Sequence, residues 1–301
     1  MTHIHHHTHE HPHFPVSLSS VFIICIALNL LFVVTEASVG FIYHSLGLLS
    51  DASHNLSDVF SLLLSLFAIQ IAKRHGNKHF TYGYKKSTIL ASLANAIILL
   101  IAVGAILIES IYKLRHPVDV SGEAISWTAG IGIIINGLTA WLLMKNQKYD
   151  LNVKGAYLHM AMDTLVSVGV VISGIMISVT GFVIIDALIS LAVAFIILLS
   201  TWNLLKESLY LSMDAVPSGV DRSRVEALIS ETPGVYSWHH LHIWAVSTTE
   251  NAATLHVVLE DLSKMEEVKY ALRQRFHQNH IHHITIECES NKAPCKEHSC
   301  C

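Results

Sequence analysis

The sequence predicts an α-helical membrane protein with six transmembrane helices, followed by a C-terminal cytosolic α/β domain ordered αββαβ, ferredoxin-like in type. Three observations lead there. Residues 16–212 are almost continuously apolar and break into six stretches long enough to span a bilayer. Lys and Arg gather in alternate loops between those stretches. From about Met213 the chain turns polar, and its apolar residues alternate as they do in strands.

Composition agrees with this division. The 301 residues are 52% hydrophobic and only 14% charged, against about 25% charged in a soluble domain. A net charge of −4 argues against nucleic acid as a partner. The start MTHIHHHTHEHPH lacks the basic region of a secretory signal peptide, so none is expected.

A span needs about 20 apolar residues. The six candidates are 16–43, 47–72, 87–112, 124–144, 155–180 and 182–211. None alternates as a membrane β-barrel strand would, which leaves helices. The loop after the second span holds Lys73, Arg74, Lys78, Lys85 and Lys86, and the loop after the fourth holds Lys145, Lys148 and Lys154. The first and fifth connections have none, and the third has only Lys113 and Arg115. This bias puts loops two and four in the cytosol, and an even number of spans puts both termini there too. In the C-terminal part, Arg222 to Ser230 has helical periodicity, and PGVYSWHHLHIWAVS and AATLHVVLE read as strands. Residues 264–279 form a helix, and HHITIECE is a third strand. The expected divisions are a His-rich tail at 1–15, a membrane domain at 16–212, the αββαβ domain at 213–290 and a Cys-rich tail at 291–301.

Within the apolar region two pairs stand out. His54 and Asp58 are four residues apart in the second span, and His159 and Asp163 repeat the spacing in the fifth. Residues at i and i+4 share a helix face, so each pair offers an imidazole and a carboxylate to one spot. Asp58 lies about 16 Å in from the outside and Asp163 about 12 Å in from the cytosol, at 1.5 Å per residue. In a hydrocarbon core of about 30 Å both stand near the midplane. Ionisable groups at that depth mark ion or proton pathways. Two His and two Asp complete the shell of a four-coordinate divalent metal such as Zn²⁺. The bland alternative is that Asp58 and Asp163 bond to buried amides such as Asn29, Asn95 or Asn136.

The chain resembles the cation diffusion facilitator family, in its zinc-transporting branch. The resemblance rests on S-L-G-L-L-S-D-A-S-H-N-L-S-D (45–58), on His79-Phe80-Thr81-Tyr82-Gly83-Tyr84-Lys85-Lys86, on L-N-V-K-G-A-Y-L-H-M-A-M-D (151–163), and on the HHLHIW strand with its αββαβ surroundings. It implies a homodimer in which each protomer exports Zn²⁺ from the cytosol in exchange for H⁺, with His54, Asp58, His159 and Asp163 as transport ligands. Relatives with Asp at the position of His54 tend also to accept Cd²⁺, so His54 implies the more zinc-selective group. Asp186-Ala187 departs from an Asp-Pro common among relatives, without touching a transport ligand.

Alternation sorts the soluble domain's faces. Leu241, Ile243, Leu255, Val257, Ile284 and Ile286 are expected to cover its helices. His240, His242, His256, His283 and Glu287 fall on the other face as candidate ligands for a structural or regulatory Zn²⁺, with His239 and His282 replacing neighbours if a register slips by one. The resemblance implies zinc at a dimer interface in this domain. Cys295, His298, Cys300 and Cys301 could capture metal in the tail. Glu36 and Asp51 are expected to be structural or to line the approach, and His79 with Lys85 and Lys86 to serve the loop. His3, His5, His6, His7, His9, His11 and His13 read as a metal-buffering tail.

Two rival classes remain. An intramembrane metallohydrolase needs an open zinc position and a general base, usually in H-E-x-x-H; the apolar segments contain no such motif, and a four-ligand set leaves no position free. A membrane-tethered metal sensor needs no midplane ligands. First-row metals such as Mn, Fe, Co and Ni, and also Cd, compete for similar donors.

If the His-rich tail only raises the local metal concentration, deleting residues 2–13 should leave the maximal transport rate near wild type and lower the rate at scarce zinc. Vesicle uptake across a range of zinc concentrations measures this. Complete loss in a correctly inserted deletion would refute it.

Overall fold

The computed structural model describes residues 18–42, 46–115, 122–182 and 184–291. Six long helices come first: α1 (Leu18–Ile42), α2 (Leu46–Ala72), α3 (Ser87–Arg115), α4 (Gly122–Met144), α5 (Leu151–Thr180) and α6 (Ile184–Ser212). Their limits fall within a few residues of the six apolar stretches. The largest difference is at α5, which begins four residues earlier than its apolar run. Asp150 is the reason: its Oδ1 accepts the backbone N–H groups of Asn152 at 2.7 Å and Val153 at 3.4 Å, capping donors that a helix start leaves unpaired.

Among the described residues, three helices are long and apolar enough to cross a membrane on composition alone, over Ser19–Val39, Ser87–Tyr112 and Ala187–Ser212. Shorter apolar runs occupy Asp58–Ala72 in α2 and Gly130–Met144 in α4. α2 and α5 are diluted by Ser, Asn, His and Asp, which are the residues of interest below.

Two apolar clusters build the bundle. Phe22 and Cys25 of α1, Leu62 and Leu66 of α2, Leu143 of α4 and Met160 of α5 form one. Ile89, Leu99 and Val103 of α3, Met162 of α5 and Ile197 and Leu204 of α6 form the other. α5 contributes to both, so it is the shared wall. Polar side chains stitch the helices internally, as a low-dielectric surround requires. Asn29 Nδ2 donates to Thr139 Oγ1 at 3.1 Å, Asn95 Nδ2 to Ser65 Oγ at 2.7 Å, and the Ser92 and Ser208 hydroxyls meet at 2.8 Å. The outer surface instead exposes Phe60, Phe67, Ile101, Trp141, Phe195 and Trp202, an apolar face suited to lipid.

The C-terminal domain runs α7 (Arg222–Ser230), β1 (Val235–Ala245), β2 (Asn251–Leu259), α8 (Met265–Gln278) and β3 (Ile281–Ser290). β1 pairs antiparallel with β2, and β2 parallel with β3, so α8 is the crossover that a parallel pair needs. Asp221 caps α7 by accepting from Arg224 N. Ile243, Leu255 and Val257 are buried against Val225, Ile229, Leu272 and Phe276, and Leu241, Ile284 and Ile286 pack on that core. The helix-facing set expected from alternation is therefore the one observed.

The two parts meet at the β1–β2 hairpin. Thr248 N donates to Thr88 Oγ1 at 3.1 Å, and Thr248 Oγ1 to Asp150 Oδ2 at 3.1 Å. Lys85 pairs with Glu250, and Lys86 with Asp214. The loop lysines thus tie the two parts together. These pairs are partly exposed, so each contributes at most about 1 kcal/mol and orients more than it welds. The loop that carries them folds on itself. Asn77 Oδ1 accepts from His79 N and Phe80 N, and Asn77 Nδ2 donates to Tyr84 Oη at 2.9 Å. Gly83 has φ 72°, and a Cβ there would stand 2.7 Å from the carbonyl oxygen of Arg74.

Gly83→Ala should therefore destabilise the folded protein by about 1–3 kcal/mol through backbone strain and the clash. The check is a lower melting temperature in detergent. An unchanged melt would show that the loop re-forms without cost.

Candidate metal centre in the membrane domain

α2 and α5 bring their polar faces together at one level. At 1.5 Å per residue Asp58 stands about 21 Å before Ala72, and Asp163 about 18 Å after Leu151, counted from the helix ends nearest the cytosolic domain. His159 Nε2 lies 2.5 Å from Asp58 Oδ1 and 3.9 Å from Asp163 Oδ2. All three side chains are buried, and a ligand atom from each lies within 4.8 Å of the others. Asp58 Oδ2 is also buried, with no hydrogen-bond partner among the described residues. A buried carboxylate oxygen in that state is costly and calls for a cation or a proton. His54 stands on α2 one turn before Asp58; its side chain lies outside the described residues, as does that of Asp51.

Two of the three amides that could instead bond the aspartates are engaged elsewhere. Asn29 is engaged by Cys25 O and Thr139, and Asn95 by Ser65. Glu36 is buried on α1 and accepts from Asn55 Nδ2 at 2.8 Å. It thus braces the residue that follows His54.

A second candidate cluster lies on the open face of the cytosolic sheet. His239 pairs with His256 across β1 and β2, and the register then shifts before His242. His240 sits in that shift with φ 51°. The extra residue turns both His239 and His240 towards His256, with ring centroids 4.8–5.2 Å apart. Glu289 Oε1 lies 2.9 Å from His256 Nδ1 and 3.3 Å from His239 Nε2, while Glu287 Oε2 lies 3.5 Å from His256 Nε2. Of the five residues expected on this face, His240, His256 and Glu287 come together. His242 and His283 do not join them. The bulge moves His242 to the level of Thr254, and His283 pairs with Ala252, about 13 Å along the strand from His256. His239 had been an alternative for a slipped register, and the bulge gives it a place beside His240 instead of in exchange for it. Glu289 was missed, although it continues the alternation two residues beyond Glu287.

Cys295, His298, Cys300 and Cys301, and the histidines of the N-terminal tail, lie outside the described residues. The tail does hold an H-E-x-x-H string, His9 to His13, which also lies outside the described residues and not in an apolar segment.

Residues 22–211 match the cation efflux transmembrane domain, and residues 217–291 the cation efflux protein cytoplasmic domain. The chain belongs to the cation diffusion facilitator family. It is thus a membrane transporter of metal cations and not an enzyme. Over 279 residues it is 38% identical to the metal cation efflux system protein CzcD of Cupriavidus metallidurans, covering 91% of this chain and 87% of that one. It is 36% identical over 264 residues to the cadmium, cobalt and zinc/H(+)-K(+) antiporter of Bacillus subtilis, covering 86% and 85%. It is 33% identical over 275 residues to the zinc transporter ZitB of Escherichia coli, covering 89% and 86%. The family's cytoplasmic domain accounts for the mixed three-stranded sheet and its two helices.

If the sheet-face cluster binds metal, replacing His240 and His256 together by Ala should lower zinc binding to the purified protein and reduce its zinc-dependent rise in melting temperature. That rise should shrink towards low pH, because protons compete for imidazole. Calorimetry at neutral pH checks the first point. Undiminished binding would make the face merely polar.

Proposed function

We propose that this cation diffusion facilitator exports Zn²⁺ from the cytosol in exchange for H⁺, through alternating access to a midplane site made by His54, Asp58, His159 and Asp163. The observation that carries the reading is the burial of Asp58, His159 and Asp163 within 4.8 Å of one another on two helices. An imidazole and two carboxylates supply three donors suited to a tetrahedral divalent ion. His54, on the same helix as Asp58 and one turn away, supplies the fourth. Both termini face the cytosol, by the loop charges. The chain works as a homodimer, with Zn²⁺ in the cytosolic domain as a structural or regulatory ion. The names of the relatives, two with zinc and one of these with H⁺, support the substrate and the counter-ion.

The boundaries proposed are a buffering tail at 1–15, transport at 16–212, regulation at 213–290 and a thiol tail at 291–301. A broader metal range is the second reading. The Bacillus relative's name includes cadmium and cobalt, so selectivity must reside in details of the ligand set.

Exchange follows from the ligands. A metal-binding imidazole must be neutral, so bound metal expels protons and returning protons loosen the metal. Protonation on the far side and helix movement then release an ion that a closed four-ligand site would otherwise hold.

Asp163→Ala should abolish zinc uptake by reconstituted vesicles while leaving expression and dimerisation largely intact. Wild-type rates in the purified variant would refute the site. His54→Asp should extend uptake towards Cd²⁺, because one nitrogen donor becomes an oxygen donor able to bind through one or both atoms. Parallel zinc and cadmium measurements with an unchanged ratio would remove selectivity from this position.

A further inference from the structure

α8 ends against the start of β3, and two histidines meet there. His277 is in the last turn of α8 and His282 is the second residue of β3. Their ring centroids are 4.6 Å apart, with planes at 77°. Both are exposed. The pair is remote from the His239, His240 and His256 cluster: the neighbouring His283 pairs with Ala252, four strand positions from His256, or about 13 Å.

The surroundings favour a cation. The last turn of a helix carries partial negative charge. Glu250 lies within electrostatic range of His282. Imidazole pairs suit borderline divalent ions.

We propose that His277 and His282 form a second metal site in the cytosolic domain, for a borderline divalent cation such as Zn²⁺, separate from the His256 cluster. Two protein ligands leave coordination positions to water, so the ion exchanges more readily than in a closed structural site. The location gives the site a use. Asn251 Nδ2 donates to the carbonyl oxygen of His280 at 3.0 Å, tying the α8–β3 turn to the β1–β2 hairpin. That hairpin is the element that touches the membrane domain through Thr248 and Glu250. His283, next to His282, meets Tyr82 of the α2–α3 loop edge-on at 5.4 Å. A metal clamping helix to strand therefore stiffens the turn that braces the domain junction. Cytosolic zinc is sensed where the two domains touch. This site does not depend on the assignment of the membrane ligands.

The test is equilibrium dialysis of the purified full-length protein with Zn²⁺ alone at neutral pH. His277→Ala and His282→Ala should each bind about one Zn²⁺ per chain fewer than wild type, and the double variant no fewer than either single. The loss should add to that caused by His256→Ala, as separate sites require. Metal-free melting of the variants should match wild type, because both side chains are exposed; if one variant melts early, the other single variant and His277→Gln decide. Wild-type stoichiometry in the correctly folded variants overturns the proposal. So does a loss that disappears in the His256→Ala background, which would merge the two sites into one.

Discussion

Asp58 and Asp163 place two carboxylates side by side in the interior of the bundle, with the His159 imidazole between them. With both ionised and His159 neutral, the group carries two negative charges in a poorly solvating surround. The penalty for a buried charge, after relaxation, is several kcal/mol per ion. Either a divalent cation or protons can remove it. That choice is the physical basis of the exchange we propose, because metal and proton neutralise the same oxygens and nitrogen and cannot both do so at once. Much of the remaining architecture serves this constraint. α5 packs into both apolar clusters and so fixes the level of His159 and Asp163. Glu36 and Asn55 hold α1 against α2 beside His54.

The cytosolic domain is joined to this arrangement by modest forces. Two partly exposed ion pairs and a few hydrogen bonds cross the junction. Contacts of that strength set a preferred pose that metal binding can bias by a comparable amount. Asp150 sits at the meeting point, capping α5 and accepting from Thr248. Burial pushes its carboxyl above the ordinary range, whereas the hydrogen bonds it accepts pull the other way. Taken alone, a raised value means that the group favours the fold most below the unfolded value, near 3.9, and that this contribution is lost as pH rises through the folded value. One carboxylate therefore links the start of the transport helix to the hairpin of the soluble domain.

The six helices were legible because apolar length is a strong signal, and α2 and α5 remained legible despite their polar residues because the flanking runs were long. The i, i+4 spacing was enough to put His159 and Asp163 on one face, and the antiparallel depth count was enough to bring Asp58 to their level. The cytosolic cluster was only partly legible. Strict alternation placed His240, His256 and Glu287, but a β-bulge at His240 breaks the period and brings His239 in beside it. Bulges insert a residue without a compositional mark, so HHLH gave no warning. Distance along the strands separates the other two, His242 level with Thr254 and His283 level with Ala252. The ties from Lys85 and Lys86 to Glu250 and Asp214 were hidden for a different reason: they join residues more than a hundred positions apart, and in the sequence they serve equally well as orientation signals.

In the mechanism we propose, zinc and protons compete for the Asp58, His159 and Asp163 group. Proton release on zinc binding tests it most directly, measured with purified protein in weak buffer by a pH dye during stepwise zinc addition. Wild type should release protons, and the release should fall when Asp58 and Asp163 are replaced together by Asn, with the cytosolic residues intact. Equal proton release from wild type and that variant would contradict it, because zinc would then displace no protons from the membrane site.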